Sequence, residues 1–194
     1  MKHDILIAGV GGQGTIFASR ILSSYAMAIG LNALTTDTVG AAQRGGSVTS
    51  HVRISDGEIY SPLIPRNRAD VMLGFESIEM LRHRRLASKN TVYILNMHKV
   101  PTTFTMMGID RYPSDDEIIE AARRISEKGY VIRATETAER LGIVQSANVL
   151  MIGALTKVDP FFSKDKVREQ VEAIAPKFAA ENLKAFDAGY ELIP

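Results

Sequence analysis

The chain alternates short, uninterrupted apolar runs with stretches in which apolar residues recur at helical spacing. Ile5 to Gly9 is a continuous apolar run closed by glycine, which predicts a buried strand of a parallel sheet. Phe17, Ile21, Tyr25 and Ile29 then recur every four residues, so a helix over 13–29 lays one stripe on the sheet and stops at Gly30. Leu31 to Asp37 reads as a second strand, completing a β-α-β unit if it pairs in parallel with the first. Next, Val48, Ser50, Val52 and Ile54 alternate with Thr49, His51 and Arg53, the period of a half-buried strand. Ser55-Asp56-Gly57-Glu58 supplies a hairpin turn into the run 59–64.

Further along, Ala69 to Phe75 and Thr91 to Asn96 are buried-strand runs with a helix over 76–85 between them. Residues 97–113 hold two prolines and no clean period, so they form a connecting excursion whose methionines and phenylalanine serve as core or interface. Ser114 and Glu117 form a capping box, and Ile118, Ala122 and Ile125 stripe the helix behind it. Tyr130 to Thr135 adds a strand, and 146–158 is a helix apolar nearly all round, hence buried on two sides. The segment 163–190 is two helices split at Pro176. The order predicts an α/β fold: a Rossmann-like, mostly parallel sheet with an antiparallel hairpin and C-terminal helices, in a single domain over residues 1–194.

Composition narrows the function classes. With 23 Lys+Arg against 22 Asp+Glu the net charge is +1, so no global field marks a binder of nucleic acid or of an anionic membrane. The N-terminal apolar run is interrupted by glycine and shows no signal-peptide pattern or membrane span, which predicts a cytoplasmic protein. There is no cysteine, so this chain offers no thiol nucleophile and no thiolate ligands for zinc or an iron–sulfur cluster. The histidines His3, His51, His83 and His98 are far apart, and no metal site is expected.

The candidate chemistry lies in two loops. After the first strand, residues 9–14 carry four glycines, and Gly9-x-Gly11-x-x-Gly14 has the wording of a dinucleotide-binding fingerprint. Such a turn brings backbone amides and a helix N-terminus against an anion, and Asp37 stands roughly where the ribose-binding acid belongs. The other reading is a tight strand-to-helix turn that packs closely and binds nothing. After the second strand comes another cluster, Gln43, Arg44, Gly45, Gly46 and Ser47. Arg44 can offer a planar fork of donors to a phosphate or carboxylate, or pair with a neighbouring carboxylate.

The stretches ILIAGVGGQGTIFASRIL, AAQRGGSVTSHVRI, YSPLIP, ADVMLGFE and NLKAFDAGYE together resemble the gamma-type subunit or domain of the thiamine-diphosphate-dependent 2-oxoacid:ferredoxin oxidoreductases, with the indolepyruvate branch the nearest. The resemblance covers nearly the whole chain in order. It implies a complex that oxidatively decarboxylates an aryl 2-oxoacid with coenzyme A, giving acyl-CoA, carbon dioxide and reduced ferredoxin. Thiamine diphosphate, magnesium and the iron–sulfur clusters are then expected on a larger partner subunit, with ferredoxin met indirectly. The resemblance further implies that Gly11, Gly12, Gln13 and Gly14, with Gln43, Arg44, Gly45, Gly46 and Ser47, help form a coenzyme A site; no catalytic residue is assigned. Where pyruvate-type gamma chains have a GPE-R-GG style stretch, this one has GAAQRGG, which leans away from pyruvate.

Other residues carry weaker expectations. The alternation turns His51 and Arg53 away from Val52, toward solvent rather than toward a partner. Arg66 and Arg68 read as solvated, and Ser19, Ser47 and Ser50 lack the companions of a nucleophile. Two rival functions remain: an independent NAD(P)-dependent oxidoreductase that needs Asp37, and a stand-alone nucleotide- or acyl-CoA-binding module.

Overall fold

The computed structural model describes residues 1–40 and 45–193. Six strands form one sheet: β1 (Lys2–Val10), β2 (Asn32–Val39), β3 (Ser47–Ser55), β4 (Ala69–Gly74), β5 (Ala87–Asn96) and β6 (Gly129–Ile132), in the order β2-β3-β1-β4-β5-β6. β1, β4, β5 and β6 pair in parallel, while β3 runs antiparallel to both β1 and β2. The fold class is therefore as the apolar pattern predicts, mostly parallel with an antiparallel hairpin.

Two details differ from the sequence-based expectation. The hairpin is β2–β3, closed by the loop after Val39, and not a hairpin at Asp56-Gly57. Residues 59–64 form no strand; Pro62 removes a ladder donor there, and the segment folds as a flap over β3. In addition β2 does not pair with β1, because β3 is inserted between them. The first β-α-β unit is thus opened by one strand.

Helices cover both faces, which explains why β1 reads as a continuous apolar run. Ile5 and Ile7 point to one face, packed with α1 (Thr15–Ala28), α6 (Ala147–Val158), α7 (Lys164–Ile174) and α8 (Ala179–Leu192). Leu6 and Ala8 point to the other, against α2 (Ser77–Arg82) and α4 (Asp115–Arg123). α4 starts at the predicted capping box, Ser114 accepting from the Glu117 amide while the Glu117 side chain accepts from the Ser114 amide. α5 (Ala134–Arg140) follows β6 at once, so the run from Arg133 to Thr135 turns into helix rather than extending the strand.

α6 is buried all round, as its composition requires, and each large apolar side chain there is worth about 1.5–3 kcal/mol of transfer free energy. It meets α8 at backbone distance: a Cβ on Gly153 would lie 2.0 Å from the Phe186 carbonyl oxygen, and one on Gly189 1.9 Å from that of Leu150. The excursion 97–113 contains one short helix, α3 (Thr103–Met106). Its Phe104, Met106, Met107 and Ile109 are 63–71% exposed in this chain, so they are not core. No described helix is long and apolar enough to cross a membrane.

Candidate functional site

The chain leaves β1 toward the α1 face and leaves the adjacent β4 toward the α2 face. The carboxyl ends of these strands therefore diverge and open a crevice, the usual ligand position of an open α/β sheet. Gly12, Gln13, Phe75, Asn96, Thr135 and Asn148 line it, around a volume of about 230 Å³. Because Val10 pairs with Ser47 and Val39 with Val48, the loop after β2 arrives at this same end.

The two predicted loops meet there. Gly11 donates its amide to the Gly46 carbonyl at 2.8 Å, and Gly40 donates to the Ser47 carbonyl at 2.8 Å. The Ser47 hydroxyl donates to the Glu79 carboxylate at 2.6 Å, fastening the second loop to α2. Gln43 and Arg44 lie outside the described residues. Gly45 and Gly46 are brought beside the first turn, and Ser47 follows them into β3.

Inside the first turn the glycines serve different ends. Gln13 is a strut: its side-chain oxygen accepts from the Val10 amide at 2.9 Å and its nitrogen donates to the Phe75 carbonyl at 3.3 Å. Gly9 leaves room for it, since a Cβ there would sit 2.7 Å from the Gln13 oxygen. Gly14 has φ +76°, and its Cβ would fall 2.1 Å from the Asn148 side-chain nitrogen. Gly12, at φ +101°, has open space where a Cβ would be. Internal packing thus accounts for Gly9 and Gly14, while Gly12 is the position of the turn that leaves backbone bare toward the crevice. α1 begins without a side-chain cap and without an acidic residue in its first turn, which keeps its amino end free of competing anions.

The dinucleotide reading does not survive the topology. With β3 between them, β1 and β2 lie roughly 9–10 Å apart, two strand spacings. Asp37 is on the edge strand and accepts from the Ser50 hydroxyl at 2.5 Å, away from the glycine turn's crevice. His51 and Arg53 also depart from expectation: they are covered, not solvated. His51 Nδ1 accepts from the Ile64 amide at 3.2 Å. Arg53 pairs with the buried Asp4 at 2.8 Å and donates to the Ser61 and Leu63 carbonyls. The flap at 59–64 is what removes both from water. Arg66 and Arg68 are exposed, as read from the sequence.

Residues that the motif reading missed complete the site. Asn96, ending β5, donates to the Phe75 carbonyl at 3.0 Å and to the Thr135 hydroxyl at 2.8 Å, tying the ends of β4 and β5 to the start of α5. Glu76, 2% exposed, accepts from the amides of Ile78, Glu79 and Val100 and from the Tyr112 hydroxyl. Burial and the Glu76 carboxylate push the Tyr112 phenol well above its ordinary pKa. The available signal was a lone polar residue closing or interrupting an apolar run: Asn96, Glu76 and Asn148 all fit it. Among the described residues no three His, Asp or Glu side chains converge as a metal group would require.

The family model described as pyruvate ferredoxin/flavodoxin oxidoreductase matches residues 4–192. The chain belongs to this family. Among its relatives, indolepyruvate oxidoreductase subunit IorB of Archaeoglobus fulgidus is 41% identical over 192 residues, covering 98% of this chain and 94% of the relative. A solved keto/oxoacid ferredoxin oxidoreductase gamma subunit from Geobacter sulfurreducens shares the fold at a TM-score of 0.70 and 22% identity, over 97% of this chain and 96% of that one. The 2-oxoglutarate:ferredoxin oxidoreductase from Magnetococcus marinus, solved with 2-oxoglutarate, coenzyme A and succinyl-CoA bound, shares it at 0.73 and 24%, over 98% of this chain and 31% of that one. The resemblance carried by the sequence motifs is borne out, and so is the fold it implied.

Proposed function

We propose that this chain, as one domain spanning residues 1–194, is the gamma-type subunit of a cytoplasmic, thiamine-diphosphate-dependent 2-oxoacid:ferredoxin oxidoreductase acting on an aryl 2-oxoacid such as indolepyruvate. The observation that carries the reading is the 41% identity to an indolepyruvate oxidoreductase subunit over almost the full length of both chains. Thiamine diphosphate, magnesium and the iron–sulfur clusters belong to a larger partner in this reading, in keeping with a chain that has no cysteine.

Coenzyme A fits the loop cluster chemically. The bare backbone at Gly12, the uncapped start of α1 and the paired loops offer amide donors to an anion at the open end of the sheet. Gly11, Gly12, Gln13 and Gly14, with Gly45, Gly46 and Ser47, would hold its phosphates, joined by Gln43 and Arg44 from the same loop. When bound, coenzyme A supplies the thiol that accepts the acyl group. The chain's own part is to seat the phosphates, to orient the pantetheine arm along the crevice and to keep bulk water from it. Gln13 and Asn96 hold the walls at fixed separation because both are bonded to the Phe75 carbonyl. An independent NAD(P) enzyme is disfavoured by the strand inserted between β1 and β2.

The test is a mild anaerobic pull-down of the tagged chain from its native cytoplasm, followed by indolepyruvate- and coenzyme-A-dependent dye reduction. A brown, active complex whose activity falls sharply with Arg44→Ala supports the reading. A colourless monomer that binds a nucleotide without partner or activity replaces it with the stand-alone module.

A further inference from the structure

Basic side chains gather on the α2 face of the sheet. A cavity of about 220 Å³ lies between the flap and the end of α2, lined by Arg66, Arg82 and Arg85 with the imidazoles of His51 and His83. Separate segments supply them: His51 comes from β3, Arg66 follows the flap, Arg82 ends α2, and Arg85 sits in the 3-10 turn Arg84–Leu86. No Asp or Glu is among the described lining residues, and none of them lines the glycine-turn crevice. The carboxylates that act on the two imidazoles are already engaged, Asp4 by Arg53 and Glu79 by Arg82 and Ser47. Arg66 and Arg85, both exposed, pair with no carboxylate among the described residues. Cations in the last turn of a helix suit its dipole, which accounts for Arg82 and not for Arg66, which arrives from another segment. His51 supplies an independent observation. It is 7% exposed, and because its Nδ1 accepts from the Ile64 amide, the neutral ring carries its hydrogen on Nε2. That N–H has no acceptor among the described residues, where no fully buried side-chain nitrogen lacks a partner. A buried donor is thus left unsatisfied by the protein in a cavity whose other polar walls are cationic.

We infer that this cavity binds a compact phosphate-type dianion, held by Arg66, Arg82 and Arg85 and by the His51 Nε2–H. Cations gathered this closely repel one another, and an anion among them removes that cost. Guanidiniums donate only, and their paired N–H groups match the oxygens of oxyanions. Because these donors arrive from separate segments, the occupant has to accept on several sides. A tetrahedral oxyanion does so, whereas a carboxylate presents two oxygens on one side. Bound there, the anion ties the chain leaving the flap, through Arg66, to α2, through Arg82, and so holds the cover over His51 and Arg53 in place. The free inorganic ion and a phosphate monoester group of a larger molecule offer the same chemistry.

The experiment follows the imidazole NMR signals of the full chain at neutral pH during titration with sodium phosphate, against sodium chloride at matched ionic strength. Expected are saturable shifts of His51 and His83 with phosphate alone, and a rise of both pKa values, because a bound anion favours the protonated rings. Phosphate affinity should fall about tenfold in Arg66→Gln and in Arg85→Gln. Both side chains are exposed, so the variants keep the fold, which their urea midpoints without phosphate verify. Equal shifts with chloride, shifts that never saturate, or an affinity unchanged in both variants overturns the site. Methyl phosphate separates the two sources, and either result upholds the site: binding as tight as that of inorganic phosphate assigns it to a phosphate group on a larger ligand, and binding weaker by tenfold or more assigns it to the free ion. Failure of both probes to bind overturns it.

Discussion

Gly11 donates its amide hydrogen to the carbonyl oxygen of Gly46 at 2.8 Å, and this bond helps turn two separate loops into a single surface at the carboxyl edge of the sheet. The second loop is anchored further by the Gly45 amide on the Gly11 carbonyl at 3.5 Å and by the Ser47 hydroxyl on the Glu79 carboxylate at 2.6 Å. Glu79 is buried, and it also pairs with the charged Arg82 at 3.2 Å. Ser47→Ala leaves a buried carboxylate short of a donor, a cost of about 1–3 kcal/mol. The expected result is a stability loss in that range by urea denaturation, together with faster hydrogen exchange at the Gly40 and Gly11 amides. Unchanged exchange at Gly40 would show that Ser47 does not anchor the loop.

Gly14 and Gly12 separate packing from exposure within one turn. Both have positive φ, which costs a residue with a Cβ roughly 1–2 kcal/mol. At Gly14 the added carbon also meets Asn148 at 2.1 Å, while at Gly12 it meets nothing within 4 Å. Gly14→Ala is therefore expected to cost more stability than Gly12→Ala, by about 1–3 kcal/mol for the overpacked contact. Thermal and urea denaturation of the pair measure the difference. In the proposed function the order reverses for ligand binding per unit of stability lost, because Gly12 is the bare backbone facing the crevice.

What could be read beforehand follows from how local each signal is. The runs at Ile5–Gly9, Ala69–Phe75 and Thr91–Asn96 are buried on both faces, and continuous apolarity reports that directly. Strand order is not local. The alternation over 47–55 marks a strand, yet nothing in its period says that it inserts between β1 and β2, and that insertion is what dismantles the fingerprint around Asp37. The run 59–64 misleads for a related reason: its backbone groups are spent on Arg53 and His51 rather than on extending the sheet, and Tyr60 and Leu63 stay exposed. In the site, the glycines were legible because backbone conformation demands them. Asn96 and Asn148 were not, because each is one polar residue whose meaning depends on which helices and strand ends converge on it.

Glu76 pins the long excursion to the sheet. Its carboxylate takes two amides at the start of α2, the Val100 amide at 3.2 Å and the Tyr112 hydroxyl, so both ends of the segment 97–113 depend on one buried side chain. Glu76→Gln replaces an acceptor oxygen by an NH2 group facing donors. The expected loss is about 2–4 kcal/mol, from weakened charge-assisted bonds and an unpaired buried donor. Exchange at the Val100 amide should accelerate more than exchange in β1. Equal acceleration at both would mean that Glu76 supports the whole fold and not the excursion in particular.

His51 gives the fold a one-sided pH dependence. Burial first, then the neighbouring His83 and Arg53, lower its pKa from the usual 6.5, with Asp4 opposing. Burial lowers His83 as well, against the pull of Glu79 and with that of Arg82 and Arg85. The neutral ring is also the form that can accept from the Ile64 amide. Between the folded pKa and 6.5 the unfolded chain binds protons that the folded chain refuses, so unfolding gains from acid. Stability from these groups is full above about 6.5, falls as the pH drops through the interval, and levels off below the folded values. Urea midpoints followed from pH 7.5 to 5 should therefore decline, and imidazole NMR should show His51 titrating below 6.5. His51→Asn keeps an acceptor for Ile64 without a titrating ring, so its midpoint should decline less steeply. An equal slope in the variant would assign the acid loss to His83 or to carboxylates elsewhere.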